Sequence, residues 1–223
     1  IYIYMCYSLR SSVATFFIAM ITVYFMYMRQ TNIDKLIAPL IFTYGFVQFA
    51  EALMWYDMKC GNINKIGTYI AYYALVFQVF ALGLGIYLTE KKLFGMFIGI
   101  LFFVYYFMTM PKMKCSKPKM TNGFPNMRWG FKYYKIRFVW PTILILILFF
   151  TKIKKIYKFI AIFWMAITFL YFFIKHYEIK HYEIKKFFRL YYDTSDSNVG
   201  TKWCHFASLS APALYIIQKF IKP

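Results

Sequence analysis

Seven apolar stretches divide this chain, at about 12–28, 36–56, 66–88, 93–110, 137–151, 156–174 and 203–219. A run of ~20 apolar residues crosses a bilayer as a helix, because lipid offers no partner for unpaired backbone groups. The expected fold is therefore all-α: a polytopic membrane protein with a seven-transmembrane-helix bundle, forming a single integral membrane domain over 1–223. Composition points the same way. The 223 residues are 61% hydrophobic and 24% aromatic, more apolar surface than a soluble domain of this length can bury. The fifth stretch is the shortest, and Trp140 and Pro141 mark its entry.

The connections alternate between two sides. The N-terminus and the segments 57–65, 111–136 and 175–202 share one side. The turns at 29–35, 89–92 and 152–155 share the other with the C-terminus. Two connections on the N-terminal side are long. In the first, "PKMKCSKPKMTNGFPNMRWGFKYYK", Asn122-Gly123 and Trp129-Gly130 are turn signals beside strand-like aromatics, which predicts a small hairpin over the bundle mouth. The second carries the tandem repeat "KHYEIKHYEIKK". Its His176 and His181 are five residues apart, off the i, i+4 spacing of a helical metal pair, so it reads as a duplication in an interfacial segment.

A net charge of +19 would suggest nucleic acid in a soluble chain. Here the Lys and Arg sit between apolar runs with no nucleic-acid motif, so the expected partners are the lipid bilayer and its anionic headgroups. Homo-oligomers stay open, and nucleic acid is not expected. The chain opens IYIY, with Met5 a candidate start, and the first apolar run is long enough to serve as a signal anchor. No cofactor is expected, because there is neither a phosphate-cradling glycine loop nor a CxxC redox pair. Gly83 and Gly85, in "GLG", read as a site of close helix packing.

Cys6, Cys60, Cys115 and Cys204 all fall on the N-terminal side of this topology. They suggest two disulfides on an oxidising face, outside the cell or in a lumen. Cys6–Cys204 with Cys60–Cys115 is the favoured pairing, because the first and last helices of a seven-helix ring usually adjoin. A four-cysteine zinc site is the alternative, against which the usual CxxC ligand pairs are absent. Raw Lys and Arg count favours a cytosolic N-terminal side. The charges of the other side, however, crowd short turns at helix ends, where the positive-inside bias is counted. The expected orientation is N-terminus extracellular or lumenal, C-terminus cytosolic.

One carboxylate interrupts the apolar pattern. In "VQFAEALMWYDMKC", helical spacing puts Tyr44, Gln48, Glu51 and Trp55 on one stripe, which should face the bundle interior because charges facing lipid are costly. Glu51 lies ~7 Å from the helix end by the helical rise. The last helix opens on the same side with "GTKWCHFASLSAP", which places His205 at similar depth and Ser208 and Ser210 nearby; Gln78 lies deeper on the third helix. A carboxylate beside an imidazole can relay protons, gate a pathway or bind a cation. It can equally be a polar clasp between helices two and seven.

Known seven-helix families fit poorly. Retinal proteins need a lysine midway along the last helix, and Phe206 to Ile217 contains none. "PALY" (Pro212 to Tyr215) lacks the asparagine of G-protein-coupled receptors, with Ala211 in its place. His205 lacks the second histidine of zinc-dependent membrane hydrolases, since Leu209 stands four residues on. By contrast "MCYS" (Met5 to Ser8), "QFAEALMW" (Gln48 to Trp55), "CGNIN" (Cys60 to Asn64) and "GTKWCHFAS" (Gly200 to Ser208) resemble a group of multi-pass membrane proteins encoded by giant DNA viruses and some algae. The resemblance implies a viral or protist source and a shared seven-helix plan, and it brings no activity.

The expected function is a small transporter or channel for protons, ions or a small solute, not an enzyme. Its candidate residues are Glu51, His205, Gln48, Gln78, Trp55 and Ser208, with no metal. The alternative is a structural or interaction protein of a viral or organellar membrane. A further alternative is an intramembrane lipid-modifying enzyme, which needs a second acid, a nucleophile or a metal near Glu51. A polar crevice reaching Glu51 favours the first; a dry, packed bundle favours the second.

Overall fold

Polar residues at the ends of the apolar runs set where the helices begin. In the computed structural model, residues 8–121, 124–131, 134–149 and 151–152 are described, with Ser208, Pro212, Ala213, Tyr215 and Ile216 from near the C-terminus. Helix α1 runs Leu9–Arg29, and its N-cap Ser8 accepts a bond from the Ser11 N–H. Helix α2, Asn32–Tyr56, starts from a capping box in which Thr31 and Asp34 satisfy each other's backbone N–H. Helix α3 is Asn62–Glu90. The Asp57 carboxylate reaches across the turn to accept from the Gly61 and Asn64 N–H groups, both at 3.1 Å, and so stands in for its missing side-chain cap. Helix α4 covers Phe94–Met108 and α5 Tyr134–Phe149. Each of α1, α2 and α3 thus begins three or four residues before its apolar run.

The described chain is mostly helical, and α1, α2 and α3 are each long and apolar enough to cross a membrane. The expected span at 156–174 lies outside the described residues. Of the one at 203–219, only Ser208, Pro212, Ala213, Tyr215 and Ile216 are described, all helical.

Helix α3 is the centre of the packing, with α2 on one side and α4 on the other. Gly83 and Gly85 make this possible. A β-carbon on Gly85 would sit 2.2 Å from the Leu36 carbonyl oxygen of α2, and one on Gly83 2.2 Å from the Gly95 backbone of α4. With no hydrophobic drive between helices in lipid, such backbone approach is a main source of association.

Between α4 and α5 the chain forms an antiparallel hairpin, β1 (Lys117–Thr121) with β2 (Phe124–Arg128), from Lys117 opposite Arg128 to Thr121 opposite Phe124. Positions 122 and 123 joining them lie outside the described residues. The hairpin belongs to the same end of the bundle as the α2–α3 turn, because Cys60 and Cys115 form a disulfide with Cα atoms 5.4 Å apart. At the opposite end the Lys152 N–H donates to Glu90 at the foot of α3. The alternation of connections between two ends therefore holds across the described helices.

Candidate functional site

The predicted stripe on α2 is buried along its length: Tyr44, Gln48, Glu51 and Trp55 all turn inward. Glu51 has 0% of its surface exposed. Its Oε1 accepts a hydrogen bond from the indole Nε1–H of Trp129 at 3.1 Å. Trp129 follows β2 and is itself only 2% exposed. The loop from Met113 to Phe131 is thus no cover resting on the bundle; it inserts side chains into it.

Alternation explains the insertion. In "MRWGF", Met127, Trp129 and Phe131 point to one face, as period two requires, and all three join the buried core with Met54, Trp55, Tyr72 and Tyr106. Trp129 and Phe131 stack at 5.4 Å, and Phe131 meets the Tyr72 ring edge-on at 5.3 Å. The Tyr72 hydroxyl donates to the Tyr106 carbonyl at 2.8 Å, joining α3 to α4 beneath this layer.

The loop is anchored beside the disulfide by a buried polar knot. The Asn64 amide imitates a neighbouring strand: its Oδ1 accepts from the Ser116 N–H and its Nδ2 donates to the Ser116 carbonyl, each at 2.9 Å. The Ser116 hydroxyl lies 2.8 Å from that of Thr68 and accepts from the Gly130 N–H at the same distance. The Lys114 N–H in turn donates to the Gly130 carbonyl at 2.6 Å, where only glycine fits, since a β-carbon there would lie 1.7 Å from the Lys114 oxygen. Satisfied networks of this kind fix geometry in a low-dielectric setting. They place Trp129 over Glu51.

The other candidates distribute as follows. Gln48 and Gln78 are fully buried. A β-carbon on Gly67 would touch the Ala50 carbonyl and one on Gly85 that of Leu36, so α2 and α3 run antiparallel in a fixed register. That register sets Gln78 near the level of Ile41, roughly 15 Å along the helix from Glu51. Gln78 is therefore deeper than Glu51 and apart from it. Ser208 is buried. His205, Ser210, Cys6 and Cys204 lie outside the described residues. Among the described residues no group of three His, Cys, Asp or Glu side chains could hold a metal ion.

A second polar centre, not anticipated from the sequence, lies at the other end. Arg29 grips Asp34 through Nε at 2.8 Å and Nη2 at 2.6 Å, while its Nη1 donates to the Tyr215 carbonyl at 2.9 Å. The guanidinium also covers the Tyr215 ring, 3.9 Å from its centroid. This fork ties the α1–α2 turn to the last helical segment. Comparison with protein-family models, with curated proteins and with solved structures gave no match.

Proposed function

We propose that the chain is a small carrier or channel for protons, ions or a small solute, in which Glu51 titrates or coordinates, His205 is its partner on the last helix, and Trp129 is the gate. The observation that supports this is the Glu51 carboxyl: without exposed surface in a helix of membrane-spanning length, and held by an indole N–H from a loop. An ionisable acid costs about 3 kcal/mol at the centre of a membrane-spanning helix even on the lowest scales, and less toward its end, where Glu51 lies. A position with a purely packing role avoids that cost with glutamine or leucine. Glu51 has no exposed surface; that packing is what a scaffold would show, and on the carrier reading it is the closed state. Because Cys60–Cys115 and the Asn64–Ser116 pairing fix the base of the loop, opening on this reading moves Trp129 out of its stack on Phe131 while the base stays in place.

Proton and ion flux through purified protein in liposomes, at several pH values, tests this against Glu51→Gln. Glutamine keeps the volume and leaves an oxygen to accept from Trp129, so the melting temperature should change little. The wild type is expected to pass protons or ions, and the variant to lose at least about tenfold of that flux, more than 1.4 kcal/mol in the barrier. No flux in either protein rejects the proposal.

A second reading is favoured by a different observation. The loop is stapled down by the disulfide and the Asn64–Ser116 bonds, and with the residue before it carries Lys112, Lys114, Lys117 and Arg128 exposed. Such a rigid basic surface suits an interaction protein of a viral or organellar membrane, with the Glu51–Trp129 bond as a clasp. An absent flux together with a lower melting temperature for Glu51→Leu, which removes the acceptor of the Trp129 N–H, would support it.

A further inference from the structure

At the end of the bundle away from Glu51, a cavity of about 520 Å³ opens between α1, α2 and α3. Its α3 wall is the stripe Phe77, Ala81, Leu84 and Leu88, spaced so that all four share one helix face, and the C-cap Lys91 closes its end. Its α2 wall carries Lys35, Ala38 and Phe42. The inner part is apolar, and Phe42 and Phe77 remain 43% and 40% exposed, so the groove is open along its side. From Lys91 to Phe77 the stripe runs about 21 Å along the helix. One leaflet of a ~30 Å hydrocarbon core is about 15 Å deep. The groove therefore spans one leaflet, with its cationic end at the helix termini.

The charge at that end is specific. Asp34 also borders the cavity, but the Arg29 fork neutralises it. The C-termini of α1 and α3 each present about half a negative charge there, and the N-terminus of α2 about half a positive one. Lys35 and Lys91 outweigh that small residue, leaving the mouth positive above an apolar slot. We infer that this groove binds one anionic phospholipid of the bilayer, its phosphate between Lys35 and Lys91 and one acyl chain along Leu88, Leu84 and Ala81. The inference does not depend on a role for Glu51.

Native mass spectrometry of the full chain released from detergent micelles tests it, using dioleoyl phosphatidylglycerol and dioleoyl phosphatidylcholine as probes. One phosphatidylglycerol per chain should be retained about 30-fold more tightly than phosphatidylcholine, roughly fivefold for each lysine near the surface. The K35Q/K91Q double variant, altered only at the rim, should bring phosphatidylglycerol down to the phosphatidylcholine level. Leu84→Trp, which fills the slot, should abolish retention of both lipids, with its melting temperature as the folding control. Equal retention of the two lipids by the wild type would overturn the inference, as would undiminished preference in K35Q/K91Q. Displacement of the lipid by inorganic phosphate at equal concentration would also overturn it, identifying a free-anion site instead.

Discussion

At position 51 a single side chain carries most of the chemical information in the membrane-spanning part of the molecule. The Glu51 carboxyl is bonded by Trp129, and the nearby knot around Asn64 and Ser116 holds Trp129 in place. The Asn64 side chain makes three bonds, two to Ser116 and one to the Met54 carbonyl at 3.3 Å. Removing it leaves the buried Ser116 backbone unsatisfied, so Asn64→Ala should destabilise the fold by about 3 kcal/mol. Asn64→Asp should lose at least as much, because its carboxylate keeps the acceptor for the Ser116 N–H but turns a buried oxygen toward the Ser116 and Met54 carbonyls. Denaturation in mixed micelles checks both, and equal stability of Asn64→Ala and wild type would remove the knot from the structural explanation. The inward direction of Glu51 was readable from helical spacing alone. Its indole partner was legible only in the alternation of "MRWGF", a period-two signal that the turn dipeptide Trp129-Gly130 masks. The partner across a long loop is set by tertiary placement, which no local pattern contains.

Among the elements, α3 is where packing is least tolerant. A methyl group on Gly85 meets the Leu36 backbone, which no rotamer change can move aside. Gly85→Ala should therefore destabilise the α2–α3 pair by about 1–3 kcal/mol, as overpacking does. A thermal-unfolding shift in detergent reads this directly, and an unchanged midpoint would mean the helices separate at little cost. The long apolar runs showed the helices but not their first turns. Polar starts such as Thr31 to Asp34 carry no hydropathy, although the capping box there is a sequence signal in its own right. The hairpin followed from its turn residues and strand-like aromatics. The Arg29–Asp34 fork escaped notice because the pair closes across a turn rather than along one helix face.

On the scale of the whole molecule, we propose the orientation in which the hairpin end is extracellular or lumenal, where a Cys60–Cys115 bridge would persist. If so, a membrane-impermeant maleimide added outside intact cells or to oriented vesicles should label Cys60 and Cys115 after mild reduction and neither before it. Labelling only after permeabilisation would reverse the orientation, whereas labelling of both without reductant would keep it and remove the bridge. The bridge closes 55 residues, and its removal by paired Cys→Ser substitution should cost about 4 kcal/mol. The same packing that holds Trp129 in the core leaves Glu51 without exposed surface. A carrier and a scaffold therefore share one closed structure and differ in what happens when the indole leaves.

A flux double-mutant cycle separates them. Proton flux into liposomes would be measured for the wild type, Trp129→Phe, Glu51→Gln and the double variant. Phenylalanine keeps a ring in the core but removes the N–H that closes on Glu51. If Trp129 gates a conducting carboxyl, Trp129→Phe should raise the flux above wild type, and Glu51→Gln should abolish it in both backgrounds. Four proteins that fold and pass no protons, or a Trp129→Phe flux that persists without Glu51, would contradict it.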